Sequence, residues 1–282
     1  MSASVQALLA QSRKTLLAAG VETAALDARL LLGAALDADP ALLPARGSEP
    51  VGIAAMMRFH DWTDRRAAGE PVHRILGWRD FYSRRFELAA DCLEPRPETE
   101  LLVERVLEDW PVDATARFAD IGCGSGAIVL TLLAERPGLE ARATDIAEGA
   151  IAMTGRNAER LGVADRLVAK RTSVLAGVAG PFDFIVSNPP YIPSGDIAGL
   201  SREVREHDPV AALDGGEDGL AVYRAILDQA PMHLKPGGLV YLETGHDQHA
   251  ALRGLAAARG FGFVSASRDL AGLERILVLR RA

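Results

Sequence analysis

Apolar residues at Val5, Leu8, Leu9, Leu16 and Leu17 recur at the spacing of one helix face, and Gly20 follows where a helix end belongs. The same period predicts a second helix from Ala24 to Leu36 and a third from Val51 to Ala68, just ahead of Gly69. Pro40, Pro44 and Pro50 interrupt the stretch between those two. Nothing in this region alternates as a strand does, so the pattern predicts a small all-α domain over residues 1–70.

The texture changes at Pro71. Arg74-Ile75-Leu76 and the run from Phe81 to Leu88 read as short strands, and Glu94-Pro95-Arg96-Pro97-Glu98-Thr99-Glu100 follows them. Two prolines forbid regular structure there, which makes 71–100 a linker. Thr99 or Glu98 is placed to cap a helix from Glu100 to Trp110. From Arg117 onward strand-like and helix-like runs alternate, which predicts an α/β domain over 101–282 with a largely parallel sheet covered on both faces. Strands are expected at Arg117–Ile121, Ala141–Asp145, Leu167–Lys170, Phe182–Ser187, Leu239–Glu243, Gly262–Ser267 and Ile276–Leu279. Helices are expected at Ala127–Glu135, Ala147–Leu161, Gly219–His233 and Gln248–Ala258. The short, helix-poor stretch from Arg268 to Arg275 makes the last two strands a hairpin, with one of them antiparallel to the rest.

Composition narrows the classes. With 282 residues, 49% of them hydrophobic, the chain can fill the cores of two ordinary domains. A net charge of -7 argues against binding by broad phosphate neutralisation, so no direct nucleic-acid substrate is expected. No apolar run approaches the roughly 18 residues that span a membrane, and the amino terminus lacks the order of a signal peptide, so a cytoplasmic protein is expected. Cys92 and Cys123 have no paired spacing, and His60, His73 and His233 each stand alone, so no metal site is indicated.

Three strand ends carry the chemistry. Asp120-Ile121-Gly122-Cys123-Gly124-Ser125-Gly126 closes the first sheet strand and opens a helix; glycines at alternate positions let backbone turn tightly and approach a ligand. With Ala127 the loop also satisfies the dinucleotide pattern G-x-G-x-x-[GA], which keeps a nicotinamide cofactor in view. Asp145 ends the next strand, where a nucleoside-binding sheet places a carboxylate for the ribose hydroxyls, although an acid there also caps helices. The decisive stretch is Asn188-Pro189-Pro190-Tyr191 after the strand Phe182–Ser187. The lone pair of an amide or exocyclic amine is delocalised and weakly nucleophilic, so a methyltransferase acting on it must work by geometry. Asn188 Oδ1 and the Pro189 carbonyl can accept the two N–H bonds of a planar nitrogen, and Tyr191 can stack on its plane. As charge grows on that nitrogen, both acceptors stabilise the transition state more than the ground state.

These motifs together resemble a class I S-adenosylmethionine-dependent methyltransferase of the amino-group type. Ile75-Leu76-Gly77 with Phe81, Pro95-Arg96-Pro97-Glu98-Thr99-Glu100, Glu203-Val204-Arg205-Glu206-His207-Asp208-Pro209 and Ala212-Leu213-Asp214-Gly215-Gly216-Glu217-Asp218-Gly219 narrow the resemblance to the peptide chain release factor N(5)-glutamine methyltransferases, the HemK/PrmC family. It extends over essentially the whole chain. It implies a seven-stranded Rossmann-like sheet with an antiparallel C-terminal hairpin and methylation of the GGQ glutamine of release factors. It also implies S-adenosylmethionine as cofactor, S-adenosylhomocysteine as product, and no metal. Gly122, Cys123, Gly124, Ser125, Gly126, Asp145 and Ser173 would bind the cofactor together with Asn188. Asn188, Pro189, Pro190 and Tyr191 would hold the substrate, with Asn188, Pro189 and Tyr191 catalytic, and the amino-terminal helices would dock the release factor. The chain departs from the family pattern at Glu94, where an aliphatic residue is common, and at Ala147-Glu148 after the acid. It departs again at Arg171-Thr172-Ser173-Val174-Leu175, where an acidic residue usually lies near the adenine, leaving Thr172, Ser173 or backbone amides for that contact. The same clamp suits an adenine-N6 methyltransferase on DNA or RNA. An S-adenosylmethionine-binding adaptor without catalytic activity is the reading from outside enzymology.

Overall fold

The computed structural model describes residues 3–282, which form two compact units. The described residues up to Trp78 make most of one, together with Arg202–His207; the other comprises Arg79–Ser201 and Asp208–Ala282.

In the first unit α1 (Val5–Ala18), α2 (Ala24–Leu36) and α3 (Ile53–Ala67) form where the periodicity places them, followed by a short α4 (Val72–Leu76). Ser4 caps α1 by accepting from the Ala7 N–H at 3.3 Å, and Gly20 follows its end at a φ of 81°. Pro40 and Pro44 do not simply interrupt the chain: they lie within a 3₁₀ helix, Pro40–Arg46, which contributes Leu43 to the core. Leu8, Leu31, Leu32, Phe59, Val72 and Ile75 complete that core.

Arg74-Ile75-Leu76 is helical, contrary to the strand expected there. Val72 and Ile75, three apart, are the two buried positions, which suits a single helical turn closed by Gly77 in the left-handed region. The expected Phe81–Leu88 strand is likewise a hairpin of β1 (Trp78–Phe81) and β2 (Arg84–Glu87). Tyr82 and Ser83 form its turn with φ of 49° and 58°, values for which Asn and Gly are the usual sequence signal.

The second unit continues with α5 (Thr99–Asp109), β3 (Ala116–Ile121), α6 (Ala127–Glu135), β4 (Leu139–Asp145), α7 (Glu148–Arg160), β5 (Leu167–Arg171) and β6 (Phe182–Ser187). Beyond β6 come α8 (Arg202–His207), α9 (Ala221–His233), β7 (Leu234–Glu243), α10 (His249–Ala257), β8 (Phe261–Arg268) and β9 (Glu274–Arg281). The sheet order is β5-β4-β3-β6-β7-β9-β8, with β9 antiparallel to both its neighbours and the remaining pairs parallel. The expected seven strands and antiparallel hairpin are therefore present, with β9 inserted between β7 and β8.

Side chains alternate across this sheet. Phe118, Phe184, Val186 and Tyr241 enter one core with α5 and α6, while Ala119, Ile121, Ile185 and Leu242 enter the other with α9 and α10. Phe118 stacks on Phe184 with ring centroids 4.7 Å apart, and Tyr241 meets Phe184 edge-on at 5.7 Å. This packing fixes the register that pairs Ile121 with Thr144 and with Ser187, and Ser187 with Leu242. Gly122, Asp145, Asn188 and Glu243, each one residue further on, consequently stand at one level along the carboxyl edge.

α8, although it lies in the connection after β6, belongs to the first unit. Arg66, buried in α3, bonds Asp27 of α2 at 2.7 Å and Glu203 of α8 at 2.6 Å.

Candidate active site

A cavity of about 640 Å³ opens at the carboxyl edge of the sheet. Gly122, Cys123, Gly124 and Ser125 line it beside Asp145, Ser173, Asn188 and Pro190. Gly126, Pro189 and Tyr191 are not among the lining residues. Gly126 instead opens α6 at a φ of 86°, where a Cβ would stand 2.8 Å from Leu130.

The glycine loop is fastened on every side. Gly122 and Cys123 donate their N–H groups to the Thr144 carbonyl at 2.8 and 3.0 Å. From α7, Thr154 donates to the Gly124 carbonyl at 3.0 Å and Asn157 to the Ser125 carbonyl at 2.9 Å. Gly122 and Gly124 adopt φ of 73° and 56°, and a Cβ at either would meet nothing within 4 Å, so bare backbone borders open cavity there. Beneath the loop Asp120 is fully buried and accepts from the Val129 N–H of α6. Burial pushes its carboxyl up to about 7 against that hydrogen bond, with Asp145 adding a smaller push in the same direction. Asp120 went unassigned in the sequence because its partner is backbone.

Asp145 makes a helix-start contact and also borders the cavity. Its Oδ1 accepts from Ala147 N at 2.9 Å, as a helix-start acid does, while Oδ2 accepts from Gly124 N at 3.0 Å and ties the strand end to the glycine loop. Each oxygen retains a lone pair, and the residue lines the cavity. Thr172, Ser173 and Val174 all line the cavity, and the Thr172 hydroxyl donates to the Ala176 carbonyl at 2.9 Å. Ile146, Val174, Ala221, Val222 and Ala225 supply an apolar wall that the motifs did not identify.

The PRPETE segment borders the cavity through Pro95, Arg96 and Thr99. Glu94, the departure before it, is 4% exposed and faces Arg79 at 3.2 Å. Glu98 stands at the N-cap of α5 but makes no side-chain cap bond, and the Thr99 hydroxyl, at the first position of the helix, accepts from Asn188 Nδ2 at 3.1 Å.

Asn188 to Tyr191 emerges from β6, whose last residue, Ser187, donates to the Ile121 carbonyl at 2.6 Å. The segment from Leu213 to Gly219 clasps its far end. Ile192 N donates to Leu213 O at 3.0 Å, Gly215 N returns to Ile192 O at 2.8 Å, and Ser194 N reaches Gly216 O at 2.9 Å. Gln248 adds a bond from its amide to the Tyr191 carbonyl. Burial, with a push from Glu243, raises the Tyr191 phenol and keeps it neutral. Among the described residues no cluster of histidine, cysteine or acid side chains is arranged to hold a metal ion, and no helix is long and apolar enough to cross a membrane.

The sheet order and the loop-lined edge are those of a methyltransferase. A methyltransferase from Pyrococcus furiosus superimposes with a TM-score of 0.55 over 79% of this chain and 98% of its own, at 19% identity. A ribosomal protein L11 methylase from Lactobacillus delbrueckii gives 0.52 over 72% and 90%, at 20% identity. Residues 7–77 match the PrmC N-terminal domain and residues 96–199 the methyltransferase small domain. The release factor glutamine methyltransferase of Bradyrhizobium diazoefficiens is 46% identical over 96% of this chain and 94% of its own. That of Cereibacter sphaeroides is 44% identical, with 94% of each covered. The chain belongs to the release factor glutamine methyltransferase family.

Proposed function

We propose that this protein methylates the side-chain amide nitrogen of the glutamine in the GGQ motif of peptide chain release factors. S-adenosylmethionine, when bound, supplies a methyl group activated by a positively charged sulfur. The cavity suits it chemically. Gly122 and Gly124 offer bare backbone, Asp145 offers carboxylate lone pairs at the level where ribose hydroxyls are bound in such sheets, and Ile146, Val174 and Val222 offer an apolar wall for a base.

Asn188 carries the reading. Its Nδ2 is committed to Thr99, which leaves Oδ1 as the acceptor for an incoming amide N–H. The Pro189 carbonyl takes the second N–H, and the neutral Tyr191 ring lies against the amide plane. Two acceptors orient the nitrogen and stabilise the positive charge that develops on it. The helical first unit, matched to the PrmC N-terminal domain, is assigned to docking the release factor.

The deciding experiment offers three substrates with S-adenosylmethionine: full-length release factor, an isolated GGQ-loop peptide and a single-stranded adenine-containing oligonucleotide. Mass spectrometry should find one methyl group on the GGQ glutamine, acquired faster in the full-length factor than in the peptide. Modification of the oligonucleotide alone would replace this reading with adenine methylation, and binding without modification of any substrate would leave an adaptor.

A further inference from the structure

Arg96 in the segment 95–100 and Asp208 in the segment 203–209 belong to two stretches that carry the family resemblance, yet neither takes part in the clamp. An ion pair joins them across 112 positions of chain, Arg96 Nη2 donating to Asp208 Oδ2 at 2.5 Å. The two partners are unequally placed. Asp208 is 8% exposed, whereas the Arg96 side chain keeps 33% of its surface open and the residue borders the cavity.

A guanidinium carries five N–H donors in one plane, a fork that matches a carboxylate. Asp208 takes one of them, and the remaining donors of Arg96 make no hydrogen bond among the described residues. Asp208 therefore fixes the group without using up its donors.

The charges around the cavity are lopsided. Among the described residues that line it, Arg96 is the only lysine, arginine or histidine, against the acids Asp91, Glu94, Asp145 and Asp214. S-adenosylmethionine carries a sulfonium, an ammonium and a carboxylate. An acidic lining favours the two cations and disfavours the carboxylate, which leaves one place along this wall where that anion is attracted.

That place is at the right end. Asp145 and Asn188 follow β4 and β6, which flank β3, so they stand two strand spacings apart, about 10 Å. Arg96 belongs to the Asn188 side: its carbonyl accepts from Thr99 N at 3.1 Å, and the Thr99 hydroxyl meets Asn188. In the cofactor the sulfur separates the ribose from the amino-acid arm. A ribose bound by Asp145 therefore puts the carboxylate toward the side that holds Arg96.

We propose that Arg96 is a cofactor-binding residue that recognises the carboxylate of S-adenosylmethionine, with buried Asp208 holding its guanidinium in place. The inference rests on the cofactor reading above.

The test is calorimetric and needs no turnover. Full-length wild type, Arg96→Met and Arg96→Lys are titrated with S-adenosylmethionine and with decarboxylated S-adenosylmethionine, which lacks only the carboxylate. Arg96→Met keeps the length of the side chain and removes its charge. It should weaken S-adenosylmethionine binding by roughly 10- to 100-fold, the loss expected for a charge-assisted pair. Its affinity for the decarboxylated analogue should be unchanged within about threefold, or tighter, because no anion is abandoned and a like charge is gone. Arg96→Lys keeps the charge without the fork and should fall between wild type and Arg96→Met for S-adenosylmethionine.

Equal losses for both ligands in Arg96→Met would make Arg96 a structural tie to Asp208 and overturn the proposal. No loss for either ligand would overturn it as well. Wild type alone gives a second check that does not depend on a variant folding: it should bind S-adenosylmethionine at least about tenfold more tightly than the decarboxylated analogue, and equal affinities overturn carboxylate recognition. Wild type that binds neither ligand would overturn the cofactor reading, and this proposal with it. Wild type that binds S-adenosylmethionine while Arg96→Met binds it equally well would leave that reading standing and remove Arg96 alone.

Discussion

The Gln248 side-chain amide donates to the Tyr191 backbone carbonyl at 2.9 Å, while its oxygen accepts from Gly245 N at 3.0 Å. One buried side chain thus ties the end of the clamp to the loop leaving β7. Gln248→Leu keeps volume but leaves both backbone groups unpaired, which should cost about 1–3 kcal/mol in urea unfolding. Because the freed segment includes the ring proposed to lie on the substrate, kcat should fall by roughly tenfold with cofactor affinity unchanged, measured by single-turnover methylation and calorimetry.

Gly219 closes the clasp around that same carbonyl. At a φ of 72°, a Cβ there would stand 2.4 Å from the Tyr191 oxygen and 2.6 Å from Gln248 Nε2. Gly237 has a similar φ of 74° with nothing within 4 Å. Gly237→Ala should therefore show backbone strain alone, about 1–2 kcal/mol. Gly219→Ala should cost about 1–3 kcal/mol more and slow methylation. Equal losses in thermal unfolding of the two variants would mean that the close approach is unimportant.

The proposed roles of Asn188 and Asp145 separate by measurement. Asn188→Ala should leave cofactor Kd within about tenfold while lowering turnover by roughly 10²–10³. Asp145→Ala should chiefly weaken cofactor binding, and an unchanged Kd by calorimetry would remove it from the site.

Asp120 links the loop to acidity. Its folded value near 7 lies above the ordinary 3.8, so protonated Asp120 favours the fold. That contribution is complete below about pH 4 and is lost as pH rises through about 7. Asp120→Asn keeps an acceptor for Val129 N and has no charge to bury. Its unfolding free energy should fall less than that of wild type between pH 4 and 7, a difference of a few kcal/mol, of order 1.4 per unit, followed by urea midpoints across that range. Parallel curves would count against the burial argument.

The parts of the site that show in the sequence are those whose chemistry is local. A Gly-rich turn, an acid at a strand end and a Pro-Pro pair are each legible within a few residues because each satisfies its own backbone. The short apolar run Phe184-Ile185-Val186 is likewise strand-like on its own. What stayed hidden depends on distant partners. Thr99 reads as a helix cap until Asn188, 89 positions away, takes its hydroxyl. Gln248 has no local signature at all, since its carbonyl partner lies 57 residues back. The β1–β2 turn is silent in the sequence because Tyr82 and Ser83 adopt left-handed angles without a glycine to announce them. Arg74 to Leu76 reads as a strand because a single turn is too short to show a period.

The contact of buried Arg66 with Glu203 means that the first unit is not a continuous piece of chain. Residues 202–207 come to it from the stretch between clamp and clasp, so exchange of this unit between relatives cannot be done with one cut. A chimera joined only near residue 78 would place a foreign arginine position opposite a native Glu203, or a native one opposite nothing. Change in the helical unit is therefore coupled, through six residues, to the loop that follows β6.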